Sequence, residues 1–172
     1  MRGYFGIGAE KISKPHNMGA LMRTAHAFGA SFAFTIGADY LKREGNMVDT
    51  SKAANMLPLY EFDSTADFQL PKDCRLVGIE LTDDAIDLPS FRHPHNAAYV
   101  LGPEKGSLSQ ETLDKCEFVV KIPTRFCINV GLAGALVMYD RVMTLGRFAP
   151  RPVKAGGPIE VLPEHTHGHK TY

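Results

Sequence analysis

The residues of this chain best suited to chemistry lie in loops and at helix ends. HNMGALMRTAHAFGA (16–30) sets one arginine, Arg23, among small and apolar residues and carries Asn17 near its start. GPEKGSLS (102–109) holds a carboxylate, Glu104, between Gly102 and Gly106, which allow a positive φ or the close approach of a ligand. IPTRFCIN (122–129) carries Cys127 and ends on Asn129, and TDDA (82–85) follows another apolar run. A guanidinium is a fixed cation suited to anionic groups, and a carboxylate on a tight loop can accept a proton or orient donors. Taken alone, each has an ordinary alternative. Arg23 can be a surface ion pair, Glu104 a solvated turn residue, and Asn17 and Asn129 simple helix N-caps.

Other chemistries fit less well. The glycines of 102–109 do not match a phosphate-binding G-x-x-x-x-G-K-[ST], because the spacing is wrong and Lys105 precedes the second glycine. GYFGIGAE has glycines at 3, 6 and 8, but no helix opens directly behind them as a dinucleotide fingerprint requires. HPH (93–95) and HTHGH (165–169) are His-rich without a supporting acid or Cys cluster, so no metal site is expected. Cys74, Cys116 and Cys127 are widely spaced and form neither a disulfide framework nor a paired zinc motif. A cytoplasmic protein with reduced thiols is the expectation.

These loops need a scaffold, and short apolar strands alternating with helical stretches supply one. Strands are expected over 3–8, 31–37, 59–62, 75–81, 98–102 and 117–122, and helices over 17–29, 109–116 and 129–145, with a short one around 52–56. In the first helix Met18, Leu21, Met22, Ala25 and Phe28 form a core stripe, Asn17 is the N-cap, and Gly29 ends the helix. Ser107 and Gln110 match a capping box for the second. Gly131, Ala133, Gly134 and Ala135 leave the first turns of the third nearly bare, so another helix, a partner subunit or a flat cofactor packs closely there. The order predicts an α/β fold with a mostly parallel sheet and helices on both faces. Ligands in such sheets bind outside the carboxyl ends of strands, where three of the stretches above fall. The domain is expected over 1–147, followed by a Pro/Gly/His-rich tail over 148–172.

Composition sets outer bounds. The chain has 172 residues, 44% hydrophobic and 22% charged, which suits one globular domain. Net charge is zero, against a polycation that coats nucleic acid, yet residues 121–154 hold six basic side chains (Lys121, Arg125, Arg141, Arg147, Arg151, Lys154) and one acid, Asp140. That local excess suits an anionic partner. No apolar run approaches the ~20 residues of a membrane span, and the N-terminus turns polar too early for a signal peptide, so no membrane association is expected.

Three of these stretches together resemble the motifs of the SpoU (TrmH-type) family of RNA methyltransferases in the SPOUT superfamily. The first resembles Asn-x-Gly-x-x-x-Arg-x-Ala followed by Phe-Gly, here Asn17, Gly19, Arg23, Ala25, Phe28 and Gly29. The second resembles a strand ending in Leu-Gly-Pro-Glu, here Leu101 to Glu104. The third resembles Ile-Pro, a short loop, then Ser-Leu-Asn-Val-Ser-x-Ala, here Ile122-Pro123 and Cys127 to Ala133. The likeness covers about residues 3–146. Cys127 and Gly131 stand where the family usually has serines, and Ser107 where glycine is common.

The resemblance implies methyl transfer from S-adenosyl-L-methionine to a ribose 2'-hydroxyl of tRNA or rRNA. It implies a C-terminal deep trefoil knot, an exception to the rule against threaded chains, and a homodimer with the site near the subunit interface. It assigns Ile79, Glu80, Gly102, Ile122, Cys127, Ile128 and Ala133 to the cofactor pocket, and Arg23, Asn17, Glu104 and Asn129 to catalysis. A guanidinium rarely gives up its proton, so Arg23 is better suited to hold phosphate and stabilise a developing alkoxide than to act as a base. No separate RNA-binding domain is expected before the first strand, so the basic C-terminal segment and the dimer surface are expected to do most of the RNA recognition, which favours tRNA slightly over rRNA. Two other readings compete: an RNA-binding protein of the same fold that has lost catalysis, and a nucleotide-binding α/β enzyme unrelated to RNA.

Overall fold

A computed structural model of the chain describes residues 3–39 and 57–157. Seven strands form one sheet: β1 (Phe5–Glu10), β2 (Phe32–Ile36), β3 (Leu59–Phe62), β4 (Arg75–Ile79), β5 (Ile86–Asp87), β6 (Ala97–Leu101) and β7 (Phe118–Lys121). Their order is β3-β2-β1-β6-β4-β7-β5, and every ladder is parallel. Three α-helices accompany them, α1 (Pro15–Ala27), α2 (Gln110–Lys115) and α3 (Val130–Leu145), with one 3-10 turn at Leu88–Ser90. The expected helix near 52–56 lies outside the described residues.

Strands buried on both faces explain the near-continuous apolar runs of the sequence. In β6, Ala97, Tyr99 and Leu101 face one core cluster while Ala98 and Val100 face the other. The first cluster holds α1 and α3 against Phe5, Ile7, Val77 and Ile79. The second, built on Phe32, Phe34, Phe68 and Leu108, is covered by α2 through Leu113. Helices therefore lie on both faces, as the alternation of elements predicts.

α1 starts two residues before the expected position. Pro15 occupies its first turn, where the missing N–H costs nothing and φ is preset. Lys14 is the N-cap residue, with no side-chain cap, and its carbonyl accepts from the amides of Asn17 and Met18. Asn17 is thus not the cap, and its side chain is released for other contacts. The stripe is as expected: Met18, Leu21, Met22 and Ala25 are fully buried. Burial of each of the three larger side chains contributes roughly 1.5–3 kcal/mol. Gly29 ends the helix at φ +75, with its own N–H on His26 O and that of Ala30 on Ala25 O, a Schellman closure.

The bare turns of α3 meet α1. A Cβ at Gly134 would overlap Leu21, and one at Gly131 would lie 3.6 Å from the Cβ of Ala20. Another helix of the same chain is what packs there, and this face is unavailable to a partner subunit. α2 also starts differently from expectation. Its N-cap is Ser109, whose hydroxyl accepts from Thr112 N, while Gln110 bonds Asp114 instead of closing a box with Ser107.

Candidate active site

The loops that leave β4, β6 and β7 converge with the first turns of α1 and α3 on a cleft of about 380 Å³. Small-molecule sites occupy about 300–1,000 Å³. Ile79, Leu101, Ile122, Ile128, Val130 and Ala133 supply apolar lining, and Lys14, Asn17, Glu80, Glu104, Thr124 and Asn129 supply polar groups. All seven residues expected in a cofactor pocket line it, with Asn17, Glu104 and Asn129. Arg23 does not. It is exposed on α1, outside the cleft, and bonds no other described residue. Six residues at about 100° each turn Arg23 roughly 240° away from Asn17, which explains the separation.

A continuous hydrogen-bond chain joins the three stretches. Asn17 Nδ2 donates to Glu104 Oε1 at 2.9 Å, and Asn17 Oδ1 accepts from Asn129 Nδ2 at 3.1 Å. Asn129 Oδ1 in turn caps α3, accepting from Gly131 N at 2.8 Å and Leu132 N at 3.4 Å. Glu104 also accepts from Ser13 N, Ser13 Oγ and Lys14 N, at 3.0, 3.0 and 3.1 Å. Burial alone would raise the Glu104 carboxyl. The Ser13 amide and the Asn17 side chain outweigh it and hold the group below its usual carboxylate value. Glu104 is therefore an acceptor that fixes the entrance to α1.

Two further carboxylates hold the end of the same loop. Glu80 Oε2 accepts from Leu108 N at 2.7 Å. Glu10, the last residue of β1 and 1% exposed, accepts from Ser109 N, Ser109 Oγ and Thr112 Oγ1 at 2.7, 2.5 and 3.0 Å. Sequence reasoning missed Glu10, since the strand was expected to end at residue 8. Its signal was a carboxylate directly continuing an apolar strand. Cys116 nearby is pushed up to about 12, first by burial and then by the negative charge of Glu10, so it is an inert thiol.

The loop after β7 is shaped by its own side chains. Thr124 Oγ1 donates to Phe126 O at 2.9 Å, and Lys121 Nζ reaches the carbonyls of Thr82 and Asp83 at 3.0 Å each. Cys127 is exposed, as is Phe126 at 72%. A Cβ at Gly131 would stand 3.2 Å from the capping oxygen of Asn129, so glycine leaves that cap unobstructed.

At the opposite end of the sheet lies a second polar cluster that the sequence did not reveal. Arg141 is fully buried, donating to Pro94 O and His95 O at 2.6 Å each and to Tyr99 Oη at 3.0 Å, beneath the Phe5 ring. It therefore does not belong to the basic surface inferred from residues 121–154. His93 of the HPH stretch is buried between Tyr99 Oη (2.6 Å) and Asp140 (2.9 Å). Burial lowers its pKa below the ordinary value, and Asp140 only partly opposes that. Among the described residues no three His, Cys, Asp or Glu side chains gather as metal ligands, and no helix is long and apolar enough to cross a membrane. HTHGH lies outside the described residues.

A parallel α/β sheet with its cleft over the strand ends, tied together by a Glu–Asn–Asn chain, defines a small-molecule site at loops after β4, β6 and β7. The SpoU rRNA Methylase family matches residues 5–139, and the chain belongs to that family. Among its relatives, the tRNA (guanosine(18)-2'-O)-methyltransferase TARBP1 of Mus musculus is 29% identical over 155 residues, 84% of this chain and 10% of that protein. The tRNA (guanosine(18)-2'-O)-methyltransferase of Escherichia coli K12 is 24% identical over 138 residues, 76% of this chain and 59% of that protein. This chain thus spans less than two thirds of these curated relatives. The fold is that of the SpoU methyltransferases. AviRb from Streptomyces viridochromogenes, solved in complex with AdoMet, superposes with a TM-score of 0.71 at 21% identity, covering 83% of this chain and 58% of that one. A structure described as addressing 2-OH methylation of C/U34 on tRNA gives 0.70 at 22% identity, covering 84% and 92%.

Proposed function

We propose that this protein is an RNA 2'-O-ribose methyltransferase that uses S-adenosyl-L-methionine. The observation that carries the reading is the meeting of ten residues from four distant stretches in one cleft, with Asn17 bonded to both Glu104 and Asn129. The cleft fits the cofactor in kind. Ile79, Ile122, Ile128 and Ala133 offer apolar surface for a flat base, and the loops at Gly102 and Cys127 offer backbone donors and acceptors for its edges. When bound, the cofactor supplies an electrophilic methyl group on a sulfonium. Glu104 and Asn129 keep α1 and α3 fixed about the cleft, so that reactants are held in one geometry.

The reading includes a homodimer. Leu132, Leu136 and Tyr139 form an exposed apolar stripe on α3 at 63%, 43% and 51% exposure, and Ala20 and Arg23 are exposed on α1, the helix packed against it. Joining two such faces carries Arg23 of one copy toward the other copy's cleft, where its charge holds a substrate phosphate and stabilises the developing alkoxide. The family's trefoil-knotted path of the C-terminal segment belongs to the same reading, and so does a preference for tRNA over rRNA. The compact tRNA-related neighbour, of which this chain covers 92%, supports that preference.

Transfer of labelled methyl from S-adenosyl-L-methionine to bulk tRNA and rRNA tests the proposal. Incorporation at ribose 2'-oxygens, falling about 100-fold in Glu104→Ala, is expected. Binding of RNA without incorporation by the wild type refutes it in favour of an RNA-binding protein that has lost catalysis.

A further inference from the structure

We infer that Glu10, which lies outside the cleft, is a positioning residue for the cofactor and acts through the loop 102–109. The inference rests on the methyltransferase reading of the cleft. β6 is flanked in the sheet by β1 and β4, and each neighbour ends near a carboxylate aimed at the loop that leaves β6. Glu80, one residue beyond β4, takes the amide of Leu108, and Glu10, the last residue of β1, takes the amide and hydroxyl of Ser109. Two successive backbone amides are thus held from opposite sides. At its other end the loop is held by Glu104 on Ser13, Lys14 and Asn17. The loop so held carries Gly102, Pro103, Glu104 and Gly106, which line the cleft.

Stability alone gives no reason for a carboxylate at this place. Burying an anion is costly, and no cation pairs with Glu10 among the described residues. Buried ionic groups can often be replaced by apolar ones without loss of stability. What the carboxylate does supply is three acceptor bonds converging on one short segment, with Thr65 Oγ1 within 3.0 Å of Thr112 Oγ1 extending the network. The backbone beside it is equally constrained. Lys11, the next residue, has φ +48, and its N–H is fixed on Ile36 O at 2.7 Å. Non-glycine residues persist in that region where the surroundings over-determine them. Glu10 therefore sets the loop before the cofactor arrives, so that binding need not order it.

Calorimetric titration of the full chain with S-adenosyl-L-methionine, with steady-state kinetics and amide exchange, decides the matter. Glu10→Gln should raise Kd and KM for the cofactor about tenfold, equivalent to re-ordering about one residue, with kcat at saturating cofactor changed less than about threefold. Exchange at 102–109 should quicken while β6 stays protected. Ser109→Ala and Thr112→Val, which each remove one donor and keep the carboxylate, should shift Kd the same way by less. A folded Glu10→Gln with wild-type Kd, or one whose loss falls on kcat alone, overturns the inference. Should Glu10→Gln not fold, unchanged Kd in both donor variants overturns it. A wild type that binds no S-adenosyl-L-methionine overturns the reading of the cleft itself, whereas normal binding by wild type and variants removes only the role of Glu10.

Discussion

Glu104 shows how much one side chain can join. It accepts four hydrogen bonds from the segment 13–17 and, through Asn17, is linked to the cap of α3. Its folded carboxyl lies below the ordinary value of 4.5, so the ionised form carries the stabilisation. That stabilisation is complete above 4.5 and is lost as pH falls through the lower folded value. Glu104→Gln should therefore cost about 1–3 kcal/mol at neutral pH, with the gap to wild type closing in acid. Denaturant titrations of both proteins across pH read this directly, and a gap independent of pH would contradict it. Glu104 and Asn129 were legible because each sits next to a local signal, a glycine-bounded turn or the start of a helix. Glu10 was not, since its partners are 99 and 102 residues away and nothing near it announces them. Arg141 misled for the same reason: its basic character is local, whereas its burial is decided by Tyr4, His95 and Tyr99 from elsewhere in the chain.

The pair α1 and α3 positions the site, and the small residues between them set their distance. The sequence disclosed that α3 is bare on one side but left three possible neighbours open. Only the crossing of the two helices decides among them. The sequence pattern located every α-helix within the described residues and all strands except β5, whose two residues are too few to show a repeat, and it missed the single 3-10 turn at Leu88–Ser90. The start of α1 was misplaced because an asparagine that looks like a cap competes with a proline that outranks it by fixing φ. Gly134 is the position at which this geometry can be tested. It lies in a helix interior, where replacing glycine ordinarily gains up to about 1 kcal/mol. Here a larger side chain meets the fully buried Leu21. Gly134→Val should instead destabilise by about 1–3 kcal/mol and weaken cofactor binding, because α3 carries Asn129 and Ala133 with it when displaced. Thermal melts with and without S-adenosyl-L-methionine measure both effects.

At the scale of the whole molecule, the proposed dimer assigns Arg23 its place. Its own chain keeps it out of the cleft, while Leu132, Leu136 and Tyr139 form the exposed apolar stripe on which the proposed dimer is built. A two-fold interface places the same patch on both partners, so any residue that crosses once crosses twice. Arg23→Ala and Glu104→Ala should each be nearly inactive alone, and an equal mixture of the two should recover activity. After random exchange about half of the dimers are mixed, and each mixed dimer has one cleft with an intact Glu104 facing an intact Arg23 and one with neither. About one quarter of wild-type activity is therefore expected, the most that a shared two-fold site allows. If Arg23 served its own cleft, each mixed dimer would contain two defective sites and the mixture would stay inactive. Leu136→Glu places a charge in the proposed seam, and should give a folded monomer by light scattering that binds cofactor but transfers no methyl group, since Glu104 then has no Arg23 to face.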